Sequence, residues 1–565
     1  MNKPNPPKMK ASRNKSFCLD MLLILGLAFI AFAVYSNSLQ APFYLDDSLF
    51  INNPAIQINN LSLKNLYNAE LESYETRPLP VISLTINYYF NKKNVLGYHI
   101  FNISVHILTG LFLFLFFKVT LEFLPEKKLT EATRIVPFFA ALIWLVHPIQ
   151  IQSVTYIIQR MNSMAALFYI LSMLLYVHAR LSKILWKKYM LFTCCLITAL
   201  LALGSKENAA MLPLFILLYE WFFIQDLNVF WFKRKIPLIL GVTVFLVIMG
   251  LIYMGNNPAD QILSKFSARG FTPYQRVLTE FRVVIFYISL LIFPKPSRLN
   301  LEHDFSLSYS FIEPTTTILS LSILIVLVGI SIWLAKRERL LSFAILWYLG
   351  NLVIESSVLP LEIIFEHRNY LPSMLLCLLG TTAVIRFIRG KRQYIILLCV
   401  IVALFSFWTF KRNSIWSDKI LFYEDALTKS PNNVRAIMDL AEALKDKGRY
   451  EEAIGYYLMA VDLSEEKRDR GEILQPYHYD SIFYLATILS ERKRYSEAIV
   501  YYKRILQLYP HDANYHNNYA FVLEKLGYLD KAIYHYSQAL RYNPGLNQAR
   551  QGLKWTKQRK AAQKN

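Results

Sequence analysis

The chain has 565 residues, of which 55% are hydrophobic, 15% aromatic and only 18% charged, and its formal net charge is +21. That composition excludes an ordinary water-soluble domain. The positive balance does not point to nucleic acid, because the basic residues gather in short stretches between apolar runs, as the topology of a membrane protein requires. The five cysteines (Cys18, Cys194, Cys195, Cys377, Cys399) lie in or beside apolar segments and show neither a disulfide framework nor metal-ligand spacing.

In chain order, a basic N-terminus (Lys3, Lys8, Lys10, Arg13, Lys15) precedes an apolar run at 18–36. No small-x-small cleavage site follows it, so it reads as an uncleaved first span with its N-terminus in the cytoplasm. Further runs near the length that crosses a bilayer occur at 98–120, 135–147, 162–179, 188–203, 208–223, 237–254, 315–334, 340–354, 369–387 and 393–410. The segment 276–293 is ambiguous: Glu280 and Arg282 in its first turns suit a helix lying along the interface. Leaving it out also keeps the clusters Lys127–Lys128, Lys233 to Lys235, Lys336–Arg337 and Arg389 to Arg392 on the cytoplasmic side. Eleven crossings follow, with an external C-terminal domain, on the periplasmic side of a bacterial inner membrane or in a lumen.

This topology places the unusual polar residues on one external face. The loop 37–97 carries Asp46–Asp47 and Arg77-Pro-Leu-Pro, and the connection 148–161 follows His147 and ends on Gln159–Arg160. Lys206–Glu207 sits in the next external turn. The region 255–314 contains Leu301-Glu-His303-Asp304, and the last external turn reads Glu366-His367-Arg368-Asn-Tyr-Leu-Pro. Ionisable residues at a membrane edge are functional suspects. Two adjacent carboxylates in an apolar setting repel one another, which suits a proton to take, a cation to hold or a hydroxyl to orient; a turn or a helix cap is the plainer reading.

After Trp416 the chain becomes charged and amphipathic. Tyr495-Ser-Glu-Ala498 and Leu529-Asp-Lys-Ala532 recur at the period of tetratricopeptide repeats, and an earlier copy centres on Ala453. The predicted organisation is therefore all-α. A multi-span membrane domain occupies 1–410, a linker and half repeat 411–432, repeats 433–544, and a capping helix with a basic tail 545–565. An insertion separates the first two repeats near 468–478. Such an array suits a protein or peptide partner.

The ordered set of motifs resembles the GT-C glycosyltransferases, and within them the transmembrane-and-tetratricopeptide-repeat O-mannosyltransferases and their bacterial relatives. The set runs Tyr-Leu-Asp46-Asp47 with Asn53-Pro54, Arg77-Pro-Leu, His99 to His106, His147-Pro-Ile-Gln with Arg160, and Ser205-Lys-Glu207. It continues through Asn257-Pro-Ala, Arg276-Val-Leu-Thr279, the 294–304 stretch and Glu366-His-Arg368. The resemblance implies an inverting transfer of mannose or a related hexose from a polyprenyl phosphate to a hydroxyl, of protein Ser or Thr in eukaryotic members, with the catalytic acid in the first external loop. This chain departs from those members in having few repeats.

On that footing Asp46 or Asp47 takes the acceptor's proton, and the second carboxylate either raises the pKa of the first or helps hold a divalent cation. Arg77, Arg160, Lys206, His303 and Arg368 are candidates for gripping the lipid phosphate, beside Glu207, Asp304, Glu366 and His367. Against this stands simple charge neutralisation, Lys206 with Glu207 or Glu220 and Arg368 with Glu362 or Glu366. An O-antigen-ligase-like or polymerase-like enzyme, and a non-enzymatic scaffold built on the repeats, are the competing classes. Sugar, acceptor and metal requirement stay open at this level.

Overall fold

The computed structural model describes residues 13–73, 77–124, 134–255, 257–266, 269–472 and 474–563. Lys3, Lys8, Lys10, Lys127 and Lys128 lie outside them. All the regular secondary structure described is helical. The chain divides into two compact units, one of residues 1–261, 273–301 and 306–418, the other of 262–272, 302–305 and 419–565.

In the first unit, among the described residues, eight helices are long and apolar enough to cross a membrane, beginning with Cys18–Ser38 and ending with Lys391–Ile415. A ninth crossing is formed if Ile135–Leu145 and Pro148–Val154, bent by 50°, count as one broken span. The bend has a local cause. Pro148 disfavours helical backbone at His147, which is extended (φ −70, ψ 127), and the His147 ring accepts the Ile149 N–H in place of a helical carbonyl. The remaining apolar runs of the sequence form shorter helices, Arg339–Leu352 and Ser373–Phe387, which fall short of a bilayer's thickness. Of the eleven runs read from hydropathy, eight or nine thus form full-length helices among the described residues and two form helices of 14 and 15 residues. The segment that hydropathy left ambiguous is the helix Pro273–Ile292, whose buried side includes Arg276, Thr279 and Glu280.

Helix Arg160–Leu181 is central, packed by Leu96–Leu121 on one side and Leu185–Leu203 on another. Helices Leu96–Leu121 and Ile135–Leu145 come together at Gly110, where a Cβ would stand 2.5 Å from a methyl of Leu145. The last long helix runs to Ile415, so its end is later than the position 410 expected from hydropathy.

The second unit is a stack of helix pairs: Val434–Asp446 with Tyr450–Asp469, Pro476–Glu491 with Tyr495–Leu508, and Ala513–Lys525 with Leu529–Tyr542. Lys419–Lys429 precedes them and Asn547–Ala562 follows. Ala441, Ala453, Ala486, Ala498, Ala520 and Ala532 are fully buried where the paired helices touch. The insertion between the first two repeats is largely a longer helix, 20 residues in Tyr450–Asp469 against 14 in Tyr495–Leu508. The tight turn inside each pair needs a left-handed residue. Gly448 (φ 77) and Gly527 (φ 85) supply it in the outer repeats, and Lys493 (φ 62) takes that conformation in the middle one.

Candidate functional site

The site grows from segment 152–162, where the broken span turns back into helix Arg160–Leu181. Its polar side chains and free backbone groups face neighbours far away in sequence. Leu45 is held at φ 38, a strained elbow for a residue with a Cβ, and the short helix Asp46–Ile51 starts directly after it. Three hydrogen bonds fix the elbow. Asp47 Oδ1 accepts the Ile158 N–H at 2.7 Å, Asp47 Oδ2 accepts the Tyr44 N–H at 3.1 Å, and the Tyr156 hydroxyl accepts the Asp46 N–H at 3.1 Å.

The two acids therefore differ. Asp47 is 3% exposed and both its oxygens are engaged. Burial pushes its pKa up to about 8, the N–H bonds from Tyr44 and Ile158 pull it down, and Asp46 beside it pushes it up again. Asp46 is half-buried, and among the described residues no hydrogen bond or ion pair engages its carboxylate. One acid anchors the loop; the other is open.

One turn further along, Met161 and Asn162 meet a group of cations. Arg77 grips Glu207 through both oxygens, Nε at 3.0 and 3.1 Å and Nη2 at 2.9 Å, and its Nη1 lies 2.7 Å from Met161 Sδ. Lys206 pairs with neither Glu207 nor Glu220. Its ammonium donates to Glu355 at 2.5 Å and to Asn162 Oδ1 at 3.1 Å, and Glu355 also accepts from Asn208 at 3.2 Å. Glu220 is taken by Arg180 and Tyr176.

Asn162 donates to the His367 carbonyl at 2.7 Å, and Gln152 accepts the His367 N–H at 3.2 Å. These bonds hold the turn 366–369 against segment 152–162. The His367 ring is buried and stacks on Phe365, and its Nδ1 has no hydrogen-bond partner among the described residues. Burial, with Lys206, Arg368 and Arg77 adding to it, keeps this imidazole well below the ordinary histidine pKa, hence neutral. A neutral histidine with an unsatisfied ring nitrogen among three cations is suited to meeting an anion.

Arg368 is buried and pairs with Glu280 (3.5 Å), and it donates to the carbonyls of Ile363 and Glu362. Arg276 meets the same Glu280 at 2.9 Å and binds the carbonyls of Glu355, Ser357, Leu361 and Glu362. Together they tie loop 355–368 to helix Pro273–Ile292. Glu366 is likewise buried and accepts the Asn300 N–H at 2.6 Å.

One expectation is corrected by this arrangement. Arg160 is fully buried and its guanidinium is taken by Asn102, Ser83, Asn87 and the Tyr98 carbonyl, so it braces helices instead of facing an open phosphate site. His303 and Asp304 belong to the segment 302–305 of the second unit, where Asp304 N–H donates to Ser430 and Glu302 faces Arg435. Among the described residues no group of three or more His, Cys, Asp or Glu side chains is placed to hold a metal ion. Sequence reading missed Glu355, Asn162, Gln152 and Tyr156. Their one signal was polarity inside apolar runs, with nothing local to name the partner.

Fold and site define a multi-pass helical membrane protein that carries tetratricopeptide repeats. Residues 422–467 and 513–546 each match a tetratricopeptide repeat family model. The chain is similar to the human protein O-mannosyl-transferase TMTC3, 22% identical over 79% of this chain and 52% of the relative. It is similar also to a protein O-mannosyl-transferase of Caenorhabditis elegans (22% identical, 79% of this chain, 62% of the relative) and to human protein O-mannosyl-transferase TMTC1 (24%, 76% and 54%). These alignments run through membrane and repeat regions alike, so the resemblance carried by the ordered motifs is borne out. The chain spans about half the length of TMTC3.

Proposed function

We propose that this protein is an inverting membrane glycosyltransferase that moves mannose or a related hexose from a polyprenyl phosphate to a Ser or Thr hydroxyl of a protein, on the external face of the membrane. The observation that carries the reading is the division of labour in the acid pair: Asp47 fixed by two backbone N–H groups, and Asp46 presented on the elbow with its carboxylate unengaged. The relatives, protein O-mannosyl-transferases by name, support the reaction class.

In this mechanism Asp46 accepts the proton of the acceptor hydroxyl as that oxygen attacks the anomeric carbon. The bond from that carbon to the phosphate oxygen breaks on the opposite face, and the polyprenyl phosphate leaves with the electron pair. A phosphate leaving group needs little acid assistance, so one carboxylate suffices. The donor phosphate sits by Arg77 and Lys206, whose cationic groups complement its charge.

The test is transfer of radiolabelled mannose from polyprenyl phosphate by the purified full chain to a mixed protein acceptor pool, with and without EDTA. The wild type discharges the lipid and Asp46→Asn does not. Retained transfer in both Asp46→Asn and Asp47→Asn sinks the proposal, and the EDTA lane decides whether a cation takes part.

A further inference from the structure

Both sides of the strained elbow at Leu45 lean on one indole, that of Trp416. Trp416 directly follows helix Lys391–Ile415, and its side chain is fully buried. Tyr44, just before the elbow, meets the indole edge to face, with centroids 5.2 Å apart and planes at 74°. Its hydroxyl also donates to the Trp416 carbonyl at 2.6 Å. Tyr156, whose hydroxyl accepts the Asp46 N–H, packs on the same indole at 6.2 Å. Beside it, the Thr155 hydroxyl donates to Asn413 Oδ1 at 2.8 Å, so the segment that carries Tyr156 is pinned to the same helix end.

The elbow needs such a support. A residue with a Cβ keeps a φ of 38° only where its surroundings over-determine it. Asp47 secures part of the loop by accepting the Tyr44 and Ile158 N–H groups. Asp46 is held through its N–H on Tyr156, while among the described residues no hydrogen bond or ion pair engages its carboxylate. The direction of that carboxylate therefore follows from how firmly the two tyrosines are seated. Both are buried, and their contacts with Trp416 are of the edge-to-face and tilted kinds that aromatic rings prefer. A proton acceptor displaced by about an ångström forfeits about a hundredfold in rate, so the seating bears on chemistry as well as on stability.

We infer that Trp416 is a positioning residue for the acid Asp46, acting through the Tyr44 and Tyr156 rings that it seats at the Leu45 elbow. The use of Asp46 in the reaction rests on the transferase reading above; the seating of the elbow does not. Arg77 and Lys206 are held by Glu207 and Glu355, so this clasp governs the acid and leaves the grip on the donor alone.

The test compares Trp416→Leu, Trp416→Phe, Tyr44→Leu and Tyr156→Phe with the wild type, as full chains in detergent. Trp416→Leu removes the indole, and Trp416→Phe leaves an aromatic ring in its place. Tyr156→Phe keeps its ring and removes only the acceptor of the Asp46 N–H. Amide hydrogen exchange of residues 44–51 reads the elbow without any turnover. Trp416→Leu, Tyr44→Leu and Tyr156→Phe exchange there about tenfold faster or more, with the rest of the membrane unit as in the wild type, and Trp416→Phe stays near the wild type. In the mannose-transfer assay the same three variants lose about tenfold or more in kcat with the donor KM within about twofold, and Trp416→Phe retains most of the rate. Wild-type exchange at 44–51 in a Trp416→Leu chain that melts like the wild type overturns the inference. So does a raised donor KM with kcat unaltered, or Trp416→Phe as impaired as Trp416→Leu. Should Trp416→Leu not fold, Tyr44→Leu decides, and wild-type exchange there overturns the inference equally. A wild type that discharges no lipid defeats the transferase reading, while the exchange measurement still decides the clasp.

Discussion

Breaking the Lys206–Glu355 pair tests the construction of the site most directly. The pair is buried, 7% and 6% exposed at the side chains, with 2.5 Å between Nζ and Oε1. At that distance and an effective dielectric constant near 20, the attraction is about 6–7 kcal/mol. Desolvating two ions costs several kcal/mol each, so the net contribution of the intact pair is near zero. Removing one partner is another matter. Lys206→Met leaves Glu355 with only Asn208, and Glu355→Met leaves Lys206 with only Asn162, so each single variant is expected to lose about 3–5 kcal/mol. The double variant Lys206→Met, Glu355→Met removes both charges and is expected to lie within about 2 kcal/mol of wild type, because no unpaired charge remains. The assay is equilibrium unfolding in mixed detergent micelles, read through a complete double-mutant cycle. Additive losses, or single variants within about 0.5 kcal/mol of wild type, would show that these groups are solvated or paired elsewhere and would refute the reasoning.

Three further outcomes are expected. His367 has a depressed pKa when folded, so the unfolded chain takes its proton first; the stability it contributes is intact above pH 6.5 and is lost below it, at up to about 1.4 kcal/mol per pH unit. Denaturation at stepped pH should therefore show a slope in acid that His367→Gln flattens, and an unchanged slope contradicts the assignment. Asp47→Asn places an amide N–H against one of two backbone donors and should cost about 1–3 kcal/mol, whereas Asp46→Asn should melt like the wild type. In the middle repeat, Lys493→Gly should stabilise by about 0.5 kcal/mol, the left-handed strain relieved less the added freedom of the unfolded chain. The converse Gly527→Lys should destabilise through φ alone, since a Cβ there meets nothing within 4 Å, and thermal melts that rank the two variants the other way would overturn this account.

The sequence by itself determined whatever is written in short-range patterns. Apolar run length marked the membrane helices, because covering a bilayer's thickness is a property of one segment. The repeat period and its buried alanines marked the helix pairs, and the polar residues Asp46–Asp47, Lys206–Glu207 and Glu366 to Arg368 stood out as candidates against the apolar runs around them. Hydropathy did not give the helix lengths, since local apolarity does not measure them: two of its runs form helices of only 14 and 15 residues. Only the tertiary structure decided which charge meets which. Lys206 reaches Glu355 across 149 positions, Arg77 reaches Glu207 across 130, and Asp47 reaches Ile158 across 111. The same convergence spent Arg160 on bracing helices, set His303 and Asp304 in the other unit, and separated an anchoring acid from an open one. The physical reason is that a buried charge takes its partner from whatever segment packing brings within a few ångströms, and sequence distance has no term in that energy.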